Sequence, residues 1–243
     1  LRPGRDHERD GDTDDEGDGN VDELIVKERP RHEQAALVDE RVERQRDRFA
    51  LLLRMTNTMA STLDLREVFK AVSLCLREMV PQEYASLILY QSKTNRVRLE
   101  ALDFPDNEGA LTEGAMSDVA GSLAGLAFER KRPAVANTLP ELQSFAHAVP
   151  QLLIKKGFHS MCSLPLLSRD RVIGCLNLAS RLEQAFGEQD LAFLSQVAGQ
   201  IALAVENALA YQEITELKDR LTEEKQYLEE EIRLEHGFDD IIG

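Results

Sequence analysis

Ser160-Met-Cys-Ser-Leu-Pro-Leu-Leu167, a turn at Ser168-Arg-Asp-Arg171, Val172-Ile-Gly-Cys-Leu-Asn-Leu-Ala179 and then Phe186-Gly-Glu-Gln-Asp-Leu191 form the stretch that decides the fold. Two apolar runs of strand length, separated by a short polar turn, spell an antiparallel hairpin. Pro165 cannot donate to a strand ladder, which puts it at an edge or a bulge, and Gly174 lets a neighbouring side chain approach the sheet closely. With Arg169-Asp170 at the hairpin tip, Cys162 and Asn177 come out cross-strand and share one face. Gly187 is a flexible entry to a helix, and Asp190 in its first turn complements the helix dipole. That helix is apolar through Leu191, Leu194, Val197, Ala198, Ile201 and Val205, then strongly acidic from Tyr211 onward.

Upstream, a second hairpin is expected from Tyr84-Ala-Ser-Leu-Ile-Leu-Tyr90, a turn at Ser92-Lys-Thr-Asn95 and Val97-Arg-Leu-Glu-Ala-Leu102. Between the hairpins the sequence predicts a loop over 104–116, a helix over 117–130 and a short strand over 133–137. A second loop follows, with a short helix over 149–156 that ends at Gly157. Before the first hairpin, Asp64 is placed as N-cap of a helix over 65–80, with Glu67 completing a capping box and Pro81 ending it. Phe49, Leu52, Leu53, Thr56, Met59 and Ala60 recur at three- and four-residue steps, one buried stripe of an earlier helix over 33–62. The element order implies an α+β fold: a mainly antiparallel sheet with helices on both faces.

Residues 1–32 open with a run of Asp, Glu, Arg, Gly and His that holds too little apolar surface to offset its ordering entropy, and a disordered acidic tail is expected. Its Asp-x-Asp spacing supplies oxygen ligands, but the twelfth-position Glu and flanking helices of a calcium loop are missing. The 243 residues carry a net charge of −15, which argues against nucleic-acid binding and against anionic membranes. Neither a bilayer-length apolar run nor a signal-peptide core occurs, and no Met begins the chain, which reads as a fragment or a mis-set start. Three cysteines, Cys75, Cys162 and Cys175, fit buried thiols of a reduced cytoplasm, with a redox or metal role as the other reading.

The closing hairpin and helix start resemble the end of a GAF domain, in which a "P-L" strand, an "I-G-x-L-x-L" strand and an "F-x-x-x-D-L" helix start succeed one another. Ala120-Gly-Ser-Leu-Ala-Gly-Leu-Ala127 is similar to the family's third helix, and Lys131-Arg-Pro-Ala-Val-Ala-Asn137 to the strand after it. The resemblance implies a GAF sensor over 63–212, with a pocket between the sheet and the helices above it, drawn from about Gly121 to Lys156. Leu126, Phe145, Leu153, His159, Cys162 and Asn177 are the ligand-binding candidates, each weighed against the plainer reading of a core or rim residue. The tail over 213–243, ending Glu231-Ile-Arg-Leu-Glu-His-Gly-Phe-Asp-Asp-Ile-Ile-Gly243, is similar to the linker preceding the AAA+ ATPase of sigma-54-dependent transcriptional activators. The formate hydrogenlyase activator type matches it best. This resemblance implies a regulatory front half whose AAA+ domain follows downstream.

Chemistry is otherwise thin. There is no Gly-x-Ser-x-Gly, no P-loop and no zinc-like histidine spacing among His7, His32, His147, His159 and His236. His159 and Cys162 lie three apart on one strand and point to opposite faces, so they form no nucleophile–base pair. No enzyme activity is expected and no cofactor is identified; a third reading, a free-standing GAF enzyme acting on methionine sulfoxide, needs a set of pocket cysteines, of which only Cys162 and Cys175 are near one another, with no acidic partner. Ile214, Leu217, Leu221 and Leu228 follow a partial heptad, with Ile232 one step off register. They predict a homodimer through the N- and C-terminal helices, and the other reading is a lone helix folded back on the domain. The expected function is a small-molecule sensor that governs such an activator. The alternative is a GAF module of a histidine kinase or cyclic-dinucleotide enzyme.

Overall fold

The computed structural model describes residues 64–239, with side chains through residue 232, together with residues 43, 46–48 and 50. The chain divides into two units, Leu1–Glu43 and Arg44–Gly243. The acidic tail and the Phe49-to-Ala60 stripe lie outside the described residues. In the second unit, α1 (Leu65–Met79) leads into β1 (Tyr84–Gln91), β2 (Arg96–Asp103) and β3 (Met116–Ser117). Then come α2 (Leu123–Arg130), β4 (Ala134–Ala136), α3 (Leu139–Gln143), α4 (Ala148–Lys155), β5 (Ser160–Ser168), β6 (Arg171–Ser180) and α5 (Glu188–Asp239).

The six strands form one antiparallel sheet in the order β3-β2-β1-β6-β5-β4. One face packs on α1 and the first half of α5, through Phe69, Leu76, Leu87, Leu164, Leu176, Leu194 and Val197. The other packs under α2, α3 and α4, through Tyr84, Phe104, Leu123, Leu142, Leu153 and Phe158. β5 has strands on both sides and is buried at nearly every position, which explains its unbroken apolar run. Pro165 tolerates this place because β4 stops at Ala134, opposite Ser163 and two residues short of the proline.

Local chemistry sets most helix ends. Asp64 caps α1, its carboxylate accepting from the N–H groups of Arg66 (2.9 Å) and Glu67 (3.4 Å). A complete capping box occurs at Thr138 and Glu141, opening a short helix, α3, where a loop is expected. The predicted helix over 117–130 starts later: Ser117 pairs with Val97 in β3, and Ser122 caps α2 by accepting from Gly125 N–H at 3.0 Å. A side chain at Gly125 would collide with the carbonyl of Val119, so the loop folds back tightly onto this helix turn.

One expectation is overturned. The hairpin tip does lie at Arg169-Asp170, with Ser168 paired to Arg171 and Leu167 to Val172, but the register shifts between Leu166 and Leu167. Leu166 faces Gly174, leaving Ile173 as the extra residue of a bulge. Cys162 therefore faces Leu178, and Asn177 faces Ser163, so Cys162 and Asn177 lie on opposite faces of the sheet. The bulge also breaks the alternation of β6: Val172 and Cys175 enter one core while Ile173 packs against the other.

Candidate functional site

On the α2–α4 face a cavity of about 320 Å³ opens between the sheet and its cover. Its floor comprises Tyr84, Ser86 and Ile88 of β1, which alternate onto this face, with Val97, Leu99, Met161 and Asn177 from three further strands. Its walls are the loop after β2, the first turn of α2 at Ser122–Ala124 and the start of α4 at His147–Pro150.

The floor carries a row of polar side chains across three adjacent strands. Asn177 lies cross-strand from Ser163 on one side and from Ser86 on the other. Ser163 Oγ donates to Asn177 Oδ1 at 2.7 Å, and Asn177 Nδ2 donates to Ser86 Oγ at 3.1 Å. The hydroxyls of Tyr84 and Ser86 share a further bond at 2.8 Å. All four residues are buried, and a buried polar row of this kind holds together only when each group finds a partner. Two hydroxyls that share one bond still hold two protons, so one O–H remains to be donated. The cavity is the open direction for it.

Burial pushes the Tyr84 hydroxyl up from 10.0 to about 12, and the Cys175 thiol on the same face from 9.0 to about 12. Cys162, on the far face, is pushed up further, again mainly by burial. Each folded value lies above its unfolded one, so the stabilising contribution is complete below the unfolded value and is lost as pH rises through the folded one. For Tyr84 the gap corresponds to roughly 3 kcal/mol. Urea unfolding from about pH 9 to 12 is thus expected to show falling stability, and Tyr84→Phe should lose up to about 3 kcal/mol less above pH 10. Parallel curves for the two proteins would contradict this.

The covering loop is fastened from several directions. Asn107 grips Leu111 at both ends, Oδ1 accepting from its N–H (2.8 Å) and Nδ2 donating to its carbonyl (2.7 Å). Asp106 pairs with Arg181 at 2.5 Å, Glu108 with Lys156 and Glu113 with Arg66 at 3.7 Å, while Glu113 also accepts from Leu102 N–H at 3.0 Å. At the rim, His147 Nε2–H donates to the carbonyl of Asp118 (2.9 Å) and Nδ1 accepts from Val149 N–H (3.4 Å). One ring therefore caps α4 and holds the loop before α2 against it.

Of the six predicted binding residues, Asn177 alone lines the cavity. Leu153 is fully buried in the core behind it, Leu126 and Phe145 are packed against that core, and His159 is half-buried at the start of β5. Cys162 belongs to the opposite core. The expected span, 121–156, does supply two walls. It omits β1 and the 110–119 loop, although Tyr84 and Ser86, two hydroxyl residues two apart in β1, are a visible sign. Among the described residues, no group of His, Cys, Asp or Glu could hold a metal ion, and no helix is long and apolar enough to cross a membrane.

A family model described as GAF domain matches residues 62–206. The formate hydrogenlyase transcriptional activator FhlA of Escherichia coli (strain K12) is 33% identical over 203 residues, covering 82% of this chain and 29% of that protein. The chain thus spans under a third of the length of the curated relatives it matches. Among solved structures, the GAF domain of a phosphoenolpyruvate-protein phosphotransferase from Coxiella burnetii superposes with a TM-score of 0.58 at 21% identity, covering 68% of this chain and 96% of that one. The free methionine-R-sulfoxide reductase of Neisseria meningitidis, solved with its substrate, does so at 0.54 and 18% identity, covering 66% and 89%. These two likenesses show the fold.

Proposed function

The chain belongs to the GAF domain family, and from that premise we propose that it is the effector-sensing region of a sigma-54-dependent transcriptional activator, its cavity reporting occupancy through α5 to a downstream AAA+ ATPase. The observation that carries this reading is the extent of the likeness to FhlA: it covers 82% of the chain, more than the 62–206 stretch of the domain itself. The likeness therefore extends into residues that flank the sensor. A histidine kinase or cyclic-dinucleotide enzyme could carry the same domain, but nothing beyond the fold supports that output. A reductase reading needs reactive thiols, whereas Cys162 and Cys175 sit on opposite faces with burial suppressing both thiolates.

α5 is the transmitting element. Its first turns pack into the core, yet it runs on through 52 residues, roughly 80 Å at helical rise. On the distal part Ile214 (63% exposed), Leu217 (50%), Leu221 (66%) and Leu228 (48%) face solvent at heptad spacing. The stripe continues back to Leu203 (53%), with Asn207 and Ala210 exposed between. A highly charged lone helix is marginal in water, and a parallel second copy would cover this stripe, Asn207 at a seam position fixing register. At the root of α5, Arg48, in the helical residues 46–48 ahead of α1, donates to Asp190 (2.6 Å) and lies over the Phe193 ring, 5.0 Å from its centroid. That contact joins the entering and leaving helices.

Sedimentation at tens of micromolar is expected to give a dimer for the chain and a monomer for Leu217→Glu/Leu221→Glu. A wild-type monomer removes the dimer. The sensing role is tested by joining the chain to the ATPase of a curated activator in place of its own N-terminal region. Transcription that responds to at least one member of a metabolite panel is expected, and uniform output across the panel counts against the reading.

A further inference from the structure

The geometry points to a specific ligand class for the cavity: a small, uncharged, mostly apolar molecule with one hydrogen-bond acceptor, a carbonyl oxygen being the best fit, seated on Ser86, Tyr84 and Asn177. This rests on the proposal that the cavity is the sensing site and adds what it senses. At about 320 Å³ the space lies at the small end of the roughly 300–1,000 Å³ of ligand pockets. That suits a molecule near the size of a single substituted ring or a short branched chain.

The lining argues the polarity. Ile88, Val97, Leu99, Leu111, Val119, Leu123, Val149 and Met161 make most of the surface apolar. No lysine or arginine lines it, and its one charged residue, Asp118, is exposed and paired with Arg96 at 3.3 Å. Arg96 also donates to the carbonyl of Met116, so its guanidinium is already engaged outside the cavity. An anion entering would lose its hydration with no lysine or arginine to meet it, His147 being engaged at both ring nitrogens, and a cation would find no buried carboxylate. The floor, by contrast, has a fixed donor to offer. Asn177 Oδ1 is taken by Ser163 and Ser86 Oγ already accepts from Asn177, which leaves the shared Tyr84/Ser86 hydroxyl pair with one undonated proton. A neutral acceptor at that point completes the row, whereas a wholly apolar occupant leaves the proton buried and unmet.

Three probes of one shape separate the possibilities: acetophenone (neutral, with an acceptor), benzoate (anionic) and ethylbenzene (no acceptor). Each is titrated into the chain while amide NMR shifts of Ser86, Val119 and Asn177 are followed. Acetophenone is expected to bind at these residues at least about tenfold more tightly than benzoate and about fivefold more tightly than ethylbenzene. Tyr84→Phe/Ser86→Ala should remove the preference over ethylbenzene while ethylbenzene itself still binds, which also shows that the variant is folded. Benzoate binding there as tightly as acetophenone, or ethylbenzene matching it in the wild type, overturns the ligand class and leaves the cavity as the sensing site. Shifts at none of these residues with any probe at millimolar concentration overturn both.

Discussion

Gly174→Ala is expected to destabilise the domain by about 3 kcal/mol, the upper part of the range for overpacked interiors. A methyl group at this position would lie 2.2 Å from the carbonyl oxygen of Ile88 and 2.9 Å from Leu89 Cδ2. The first contact is with backbone in the middle of the sheet, so no rotamer change relieves it. β1 and β6 must separate where Leu89 pairs with Gly174, beside the bulge that sets the register of the hairpin. Urea unfolding followed by far-UV circular dichroism measures the loss. Leu89→Ala should not rescue the variant, because the carbonyl clash remains, and a rescue would show the obstacle to be a side chain. Two other glycines serve as controls. Gly187 would meet only Asp190 Oδ2 at 3.5 Å, and Gly199 nothing within 4 Å. Alanine at 187 is expected to be near neutral, and at 199, inside α5, to stabilise by about 1 kcal/mol through helix propensity. Similar losses at all three positions would refute the packing argument.

Asn177→Ala is expected to cost about 2–3 kcal/mol, through a lost side-chain volume and a stranded donor. The Ser163 hydroxyl is fully buried and gives its proton to Asn177 Oδ1, so its acceptor disappears, while Ser86 keeps the bond with Tyr84. This asymmetry makes the argument testable by a double-mutant cycle. With Ser163→Ala in the background the loss of Asn177 strands no proton at position 163, and the double variant should be more stable than the sum of the singles by about 1 kcal/mol or more. Strict additivity would mean that Asn177 matters only for its bulk. The same substitution enlarges the cavity and removes the bridge that orients Ser86, so weaker and less selective binding of acetophenone accompanies the loss of stability.

Both residues show how far one dimension reaches. Gly174 was recognisable as a place of close approach, but its neighbour is the carbonyl of Ile88, which only the pairing of β1 with β6 reveals. Asn177 was recognised as a site candidate for a partner it does not have. Counting back from the Arg169-Asp170 tip pairs it with Cys162, and the count is right as far as Leu167. A single extra residue, Ile173, then moves every later pair by one, which sends Cys162 to one core and Asn177 to the other. Whether a strand bulges depends on how both of its faces are packed by elements distant in sequence, and no short window holds that information.

The sequence by itself determined the elements whose signals are local: the two hairpins, the cap at Asp64, the apolar start and acidic continuation of α5, and, through the motifs of the closing hairpin and helix start, the resemblance to the GAF family. Periodicity and turn chemistry are properties of neighbouring residues, so they survive reading one residue at a time. Only the tertiary structure decided the site. The bulge selected which side chains of β6 face α2–α4, and the loop after β2 folded over the sheet to close a space that the helices alone leave open. A cavity is the volume that several distant segments fail to fill, and its chemistry follows from which faces they turn toward one another.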